Sequence, residues 1–262
     1  MLRAFFSSAT GMRAQELLID NAANNLANVN TNGFKRSQLD FADLVYATLR
    51  PAGTEVATGQ ATPTGLQIGS GVRPVGTTKV FTPGVVEQTG NVLDVAIEGD
   101  GFFKILLPGN LERYTRDGAF RLDQNGRFVT GDGYQVENAP TIPQNVTLSS
   151  VAIGSDGQVT ALVDGQLQQL GQIQLHRFTN PAGLSSEGSN LYSVTPASGQ
   201  PISGTPGLNS LGTLRQSFLE RSNVEVVTEL VSLITAQRAY EVNSRAIRAG
   251  DEMLSNTSQI VR

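Results

Sequence analysis

The two ends of the chain carry the same seven-residue apolar spacing, and the long stretch between them does not. At the front, Leu2, Phe5, Ala9, Met12, Glu16, Ile19, Ala23 and Leu26 recur three or four residues apart, with Glu16 alone polar. At the back, Val226, Leu233, Tyr240, Ile247, Leu254 and Val261 recur every seven residues, widened by Ala239, Ala246 and Met253. The spacing predicts helices over residues 1–30 and 222–262. Helix nucleation is costly, so such helices gain stability by covering their apolar stripe rather than from propensity. A period of roughly 3.5 residues implies left-handed supercoiling. Each end therefore needs a partner helix: first the other end of the chain, then the same helices in neighbouring copies. Both ends are expected to be largely disordered in the free monomer and to order on assembly.

The interior has another chemistry. Residues 51–212 hold all 11 prolines and every glycine except Gly11, Gly33 and Gly250. Over 46–78 there is no helical period, and Leu66, Ile68 and Val72 alternate, which favours an extended hairpin over a plain linker. Residues 79–215 read as all-β. Asn125-Gly126 sits between Ala119-Phe-Arg-Leu122 and Arg127-Phe-Val-Thr130, a strong hairpin signal. Asp117-Gly118, Asp132-Gly133, Asp156-Gly157 and Asp164-Gly165 mark further tight turns. Ser222-Asn-Val-Glu225 reads as a capping box opening the last helix. The expected fold class is α+β: discontinuous N- and C-terminal helices forming a coiled-coil layer, with an inserted all-β domain. The expected domains are 1–45 with 216–262 (helical assembly), 46–78 (extended segment) and 79–215 (outer β domain).

Composition removes several functions. A net charge of −4 and a pI near 5.1 argue against nucleic acid as a partner, since phosphate neutralisation needs a basic face and Lys35-Arg36 is the tightest basic cluster. No apolar run approaches the roughly 20 residues of a membrane span, so membrane insertion is not expected. Cysteine is absent, which rules out disulfides and thiolate chemistry. Met1-Leu-Arg-Ala-Phe-Phe is too short an apolar run for a cleaved signal peptide, so any route out of the cytoplasm is expected to be a different one.

The candidate chemical sites are weak. His176 is the only histidine and lies in an apparent strand, with no Gly-x-Ser-x-Gly elbow to make it a triad base. Asp94, Glu98 and Asp100 are the best paired-carboxylate candidate, but their flanking glycines point to turns. Asp123-Gln-Asn125-Gly126 lacks the ligand series of a calcium loop. The reading is therefore no enzyme, no cofactor and no metal.

Ala23-Asn24-Asn25-Leu26-Ala27-Asn28-Val29-Asn30-Thr31-Asn32-Gly33-Phe34-Lys35-Arg36 resembles the N-terminal signature of the bacterial flagellar rod and hook family. Leu233-Ile-Thr-Ala-Gln237-Arg238-Ala-Tyr240-Glu241-Val-Asn243-Ser244 resembles its C-terminal signature, and Tyr114-Thr-Arg-Asp117-Gly118-Ala-Phe120 a motif of its β domain. The chain length and residues 46–78, with Thr48-Leu-Arg-Pro51 and Gly65-Leu66-Gln-Ile68, look like the distal-rod branch. The resemblance implies a homo-oligomeric helical tube spanning the periplasm. Its subunits would be exported through the flagellum's own type III apparatus without a cleaved signal. It would have a coiled-coil inner layer and a β outer layer, transmit motor torque and conduct exported subunits. Implied partners are proximal rod proteins, the hook protein, the outer bushing rings and a rod cap. The hairpin is implied to brace neighbouring subunits and stiffen the shaft.

Three residue sets follow. Assembly at the N-terminus falls to Leu2, Phe5, Met12, Ile19, Asn24, Asn25, Leu26, Asn28, Thr31, Gly33, Phe34 and Lys35. Assembly at the C-terminus falls to Val226, Leu233, Gln237, Arg238, Tyr240, Asn243, Ile247 and Leu254. The rod-specific segment contributes Pro51, Gly65, Leu66 and Ile68. Two alternatives stay open: a proximal rod or hook subunit, and a secreted β-rich cell-wall-binding or carbohydrate-active protein.

Overall fold

A computed structural model describes residues 2–53, 55–57, 60–61, 63–163 and 165–260, with side chains for 3–53, 63–163 and 165–256. Val261 of the C-terminal repeat, Asp164 of one predicted turn and the side chain of Leu2 lie outside the described residues. The chain divides into two units. One comprises Met1–Leu26, Ser37–Thr78 and Glu225–Arg262; the other comprises Ala27–Arg36 and Lys79–Val224.

The first unit holds the two helices, α1 (Leu2–Ala27) and α2 (Val226–Ile260), and a two-stranded ribbon. α1 ends in the asparagine-rich turn. Thr31 N–H donates to Asn28 O, and Gly33 takes a φ of 67°, a left-handed conformation that glycine adopts without a side-chain penalty. α2 does not use the expected capping box. Ser222 accepts from the Val224 amide at 3.3 Å, while Glu229 N–H donates to Glu225 O, so Glu225 is the first capping residue. The Thr228 hydroxyl donates to the Glu225 carboxylate at 2.8 Å. Glu225 thus stabilises the helix start with an anion, where the helix dipole favours one.

The ribbon is one nested hairpin. β1 (Ser37–Asp43) pairs with β6 (Val72–Lys79), β2 (Tyr46–Arg50) with β5 (Leu66–Gly69), and β3 (Glu55–Ala57) with β4 (Gln60–Ala61). The register shifts between Thr48 and Arg50, so Leu49 is the extra residue of a bulge. Extended structure thus begins at Ser37, nine residues before the segment delimited from composition.

The second unit is the β domain. Its largest sheet, among the described residues, is antiparallel and seven-stranded. The order is Arg121–Leu122, Phe128–Val129, Gln135–Val136, Phe103–Leu107, Leu111–Thr115, Leu191–Ser193 and Ser185–Gly188. The predicted Asn125-Gly126 hairpin joins its first two strands, with Gly126 at a φ of 76°. Ala152–Ile153, Gln158–Val163 and Gln166–Gln172 form a three-stranded sheet. The first strands of the unit, β7 (Val86–Gln88) and β8 (Val95–Glu98), pair with its last, Phe218–Glu220 and Thr213–Gln216. This unit closes only when residues far apart in sequence meet. Its core is continuous, with Val95, Ile97, Phe103, Ile105, Val159 and Leu175 fully buried. A second cluster gathers Phe102, Tyr114, Phe178, Leu184 and Tyr192, its aromatic rings in edge-to-face contacts.

Candidate functional site

The helical unit leaves much of its apolar surface uncovered. On α2, Val227, Val231 and Ile234 are 67%, 58% and 48% exposed and lie on one face. A contiguous apolar row on one helix face, unlike singly exposed apolar residues, marks an interaction surface. The expected seam is only half covered within one chain. Leu233 and Ile247 are partly buried, whereas Val226, Tyr240 and Leu254 are exposed. Among the described residues of α2, Glu229 and Ala236 are buried, a row about 50° round the helix, and on α1 the buried residues are Ala14, Ala22 and Asn25. On α1, Phe5, Met12, Ile19 and Leu26 are half-buried, and Ala9 and Ala23 are exposed. Gln237, Arg238, Arg245 and Arg248 are exposed, and Asn243 is half-buried.

The ribbon is similar. Val45 is 82% exposed, and Tyr46, Leu49, Leu66, Ile68 and Val75 are also exposed. Pro51 and Gly65 follow and precede the Arg50–Leu66 pair, and a Cβ on Gly65 would lie 2.8 Å from Arg50 O. The ribbon's base is anchored by Asn25. Its amide donates to Ser37 O at 2.9 Å, and its carbonyl oxygen accepts from Ser37 N at 2.8 Å. A buried side-chain amide thus does what a neighbouring strand would do. Asn21 donates to the same carbonyl at 2.8 Å. Of the other signature asparagines, Asn28 accepts from the Thr31 hydroxyl at 3.2 Å, and Asn24 is exposed.

Gly33, Phe34 and Lys35 belong to the β unit. There they meet the β-domain motif: a Cβ on Gly33 would lie 2.7 Å from the Arg116 and Asp117 backbone. Lys35, the most buried charge of the N-terminal signature, donates from Nζ to Glu220 Oε1 at 2.5 Å and to Thr82 O at 2.7 Å. Arg116 Nε donates to Glu220 Oε2 at 2.9 Å, and its Nη1 to Gly99 O and Gly101 O. Gly84 N donates to Glu220 Oε1 at 2.9 Å, and Gly33 N to Glu220 O at 2.8 Å. One carboxylate therefore ties together the segment that begins the unit, residues 81–84, the 114–118 motif and the strand that ends the unit. Asn223 reinforces this, accepting from Arg36 N at 2.7 Å and donating to Val80 O at 2.8 Å.

The cluster is dry, with the Lys35 and Glu220 side chains 0% exposed. Burial, then the Arg116 charge, push the Lys35 ammonium pKa down against the pull of Glu220. Burial alone would raise the Glu220 carboxyl; the charges of Arg116 and Lys35 and their hydrogen bonds outweigh it and hold it below its ordinary value. Two cations share one anion, which is why the carboxylate stays ionised. Lys79 supports the Phe34–Lys35 segment, donating to Lys35 O at 3.0 Å with its Nζ 4.4 Å from the centre of the Phe34 ring. Lys35 stood in the sequence motif, but Arg116 and Glu220 as its partners did not. The usable signal was a charged residue inside each strongest motif, together with Glu220 just ahead of the last helix.

The other candidates do not assemble into reactive groups. Asp94 is buried and accepts from Thr89 Oγ1 at 2.7 Å and Asn91 Nδ2 at 2.9 Å, which is turn chemistry. Glu98 is exposed and pairs loosely with Arg215 at 3.9 Å. Asp123 accepts from the Arg127 and Asn125 amides, which lowers its pKa and closes the hairpin loop. His176 is buried, exchanges backbone hydrogen bonds with Phe102, and stacks edge-on with Tyr114; burial lowers its pKa. Among the described residues, no group of three or more His, Asp or Glu side chains is placed to hold a metal ion. No described helix is long and apolar enough to cross a membrane.

Two family models match the chain. "Flagellar hook protein FlgE/F/G D1 domain" covers residues 96–161, and "Flagellar basal body rod FlgEFG protein C-terminal" covers residues 215–260. Similarity also runs end to end. The flagellar basal-body rod protein FlgG of Buchnera aphidicola subsp. Schizaphis graminum is 48% identical over 262 residues, covering 99% of this chain and 100% of its own. That of Borreliella burgdorferi is 46% identical over 264 residues, covering both chains completely. The Bacillus subtilis hook-basal body complex protein FlhP is 32% identical, covering 97% of each chain.

Proposed function

The chain belongs to the flagellar basal-body rod and hook family as a structural subunit of the rod, and from that premise we propose that it forms the distal rod. In this reading copies polymerise into a rigid hollow helical shaft through α1 and α2, and the β unit forms the outer layer. The head-to-tail contact does not close into a ring, so it generates an open helix. The single observation carrying the proposal is that the similarity spans 99% of this chain, so that it takes in the terminal helices and the ribbon, whose apolar surfaces are left uncovered here.

The ribbon braces neighbouring copies through its exposed apolar residues and stiffens the shaft. Proximal rod proteins, the hook protein, a rod cap and the surrounding bushing rings are its neighbours. The subunit reaches the periplasm through the flagellum's own type III apparatus. Its task is mechanical: it transmits torque and leaves a lumen for exported subunits. In this reading the subunit has no catalytic task, and the buried groups at Glu220 serve structure.

Electron microscopy of concentrated full-length chain, beside a version lacking residues 1–35, tests this. Straight tubes from the full-length chain alone are expected, seeded with basal bodies stripped of their hooks where nucleation is slow. Absence of tubes from seeded full-length chain, or tubes from the shortened one, would overturn it.

A further inference from the structure

Each terminal helix contains a single glycine, Gly11 in α1 and Gly250 in α2. Inside a helix a glycine costs about 1 kcal/mol relative to alanine, so a gain elsewhere must offset it. Both glycines lie where the opposite helix needs the space. A Cβ on Gly250 would sit 2.7 Å from Cζ and 3.0 Å from Cε1 of Phe5. A Cβ on Gly11 would sit 2.9 Å from Nδ2 of Asn243. Ser8 and Ala246 lie between these contacts and line one small apolar cavity of about 80 Å³ with Phe5 and Met253. Numbers rise along α1 as they fall along α2, so the helices run antiparallel.

We infer that Gly11 and Gly250 are reciprocal notches that set the register of the two terminal helices. Asn243 and Gly250 are one heptad apart and occupy one face of α2; Glu229 and Ala236 continue that row and are buried. Sliding α1 by one turn carries Phe5 onto Ala246 or Met253 and takes Asn243 out of the Gly11 notch. The apolar stripes alone do not forbid that slide, because half-buried Leu233 and Ile247 lie beside the row and accept several registers. The notches do. They also decide which face of α2 is left over: with this row committed to α1, Val227, Val231 and Ile234 point away. That last consequence rests on the proposed assembly and assigns the outward face to a second copy.

The cysteine-free chain permits a direct test. Ser8→Cys with Ala246→Cys marks the inferred register, and Ser8→Cys with Ala239→Cys marks a slide of one heptad. Cysteines whose Cα atoms are more than about 7 Å apart cannot be bridged. The first pair is expected to close at least about tenfold faster than the second, in dilute chain or in polymer. Gly250→Leu should abolish that preference, and adding Phe5→Ala should restore it. If Gly250→Leu prevents folding, Gly11→Leu with and without Asn243→Ala gives the same comparison. Equal closure of both pairs in both states, or an unchanged preference with the notches filled, would overturn the register lock. Polymerisation is read separately. Tubes without a register preference refute the notches and spare the assembly; a register preference in a chain that never polymerises, even seeded, refutes the assembly and spares the notches.

Discussion

The β unit and the helical unit treat apolar surface in opposite ways. The β unit buries Val95, Ile97, Phe103 and Leu175 completely and takes even a lysine, an arginine and a glutamate inside. The helical unit exposes Val227, Val231 and Ile234 on α2 and Val45 and Leu49 on the ribbon. A unit that closes its own core is stable by itself. A unit that leaves an apolar stripe in water reaches its lowest free energy only against something else, because burial of apolar surface is the dominant favourable term. The difference assigns stability to one unit and association to the other.

The sharpest way to break this comparison is Ile234→Asp. The residue is half-exposed, so the melting of the β unit should stay within about 0.5 kcal/mol of the parent, while polymerisation is lost because a carboxylate would be buried at every repeated contact. Calorimetry of the monomer beside sedimentation of the polymer reads both; undiminished polymer would remove α2's outward face from the assembly.

Next in size is Glu220→Ala. It leaves Lys35 and Arg116 buried without their anion, and urea unfolding should show a loss of about 3–5 kcal/mol. A loss below about 1 kcal/mol would mean that water reaches the cluster.

Acid should weaken the β unit more gently. His176 has its pKa pushed below 6.5 by burial, so the unfolded chain takes up that proton first, and stability falls from about pH 6.5 downward until the folded imidazole titrates too. Glu220, held below 4.5, contributes stability that is complete above that value and is lost as pH falls through its folded pKa. Thermal melts from pH 7 to 3 should decline in both windows, and His176→Phe should flatten the upper one; a decline there unaltered in the variant would point to another group.

The smallest effect is at the rim. Glu87→Gln weakens an ion pair with Arg221 that is about half in water, and should cost about 0–1 kcal/mol and fade with salt. A larger cost would show that Arg221 holds the β7 edge through more than charge.

Much of this molecule was legible from its pattern. Heptad spacing located both helices within a few residues, since 3.5-residue periodicity is local. Turn chemistry located the Asn125-Gly126 hairpin because a left-handed φ favours glycine. The α+β class followed from where glycine and proline are confined. The motif residues gave the family, which end-to-end similarity establishes.

The tertiary structure decided what local pattern cannot carry. The cap of α2 moved from Ser222 to Glu225, because Ser222 is buried in the β unit and bonds Val224 instead. Asn243 and Gly250 of α2 meet Gly11 and Phe5 of α1, because each glycine leaves room for a side chain of the other helix. Lys35 found its partner 185 residues away at Glu220. A buried charge is satisfied by whichever counter-ion the fold brings within reach, and no spacing along the chain records that distance.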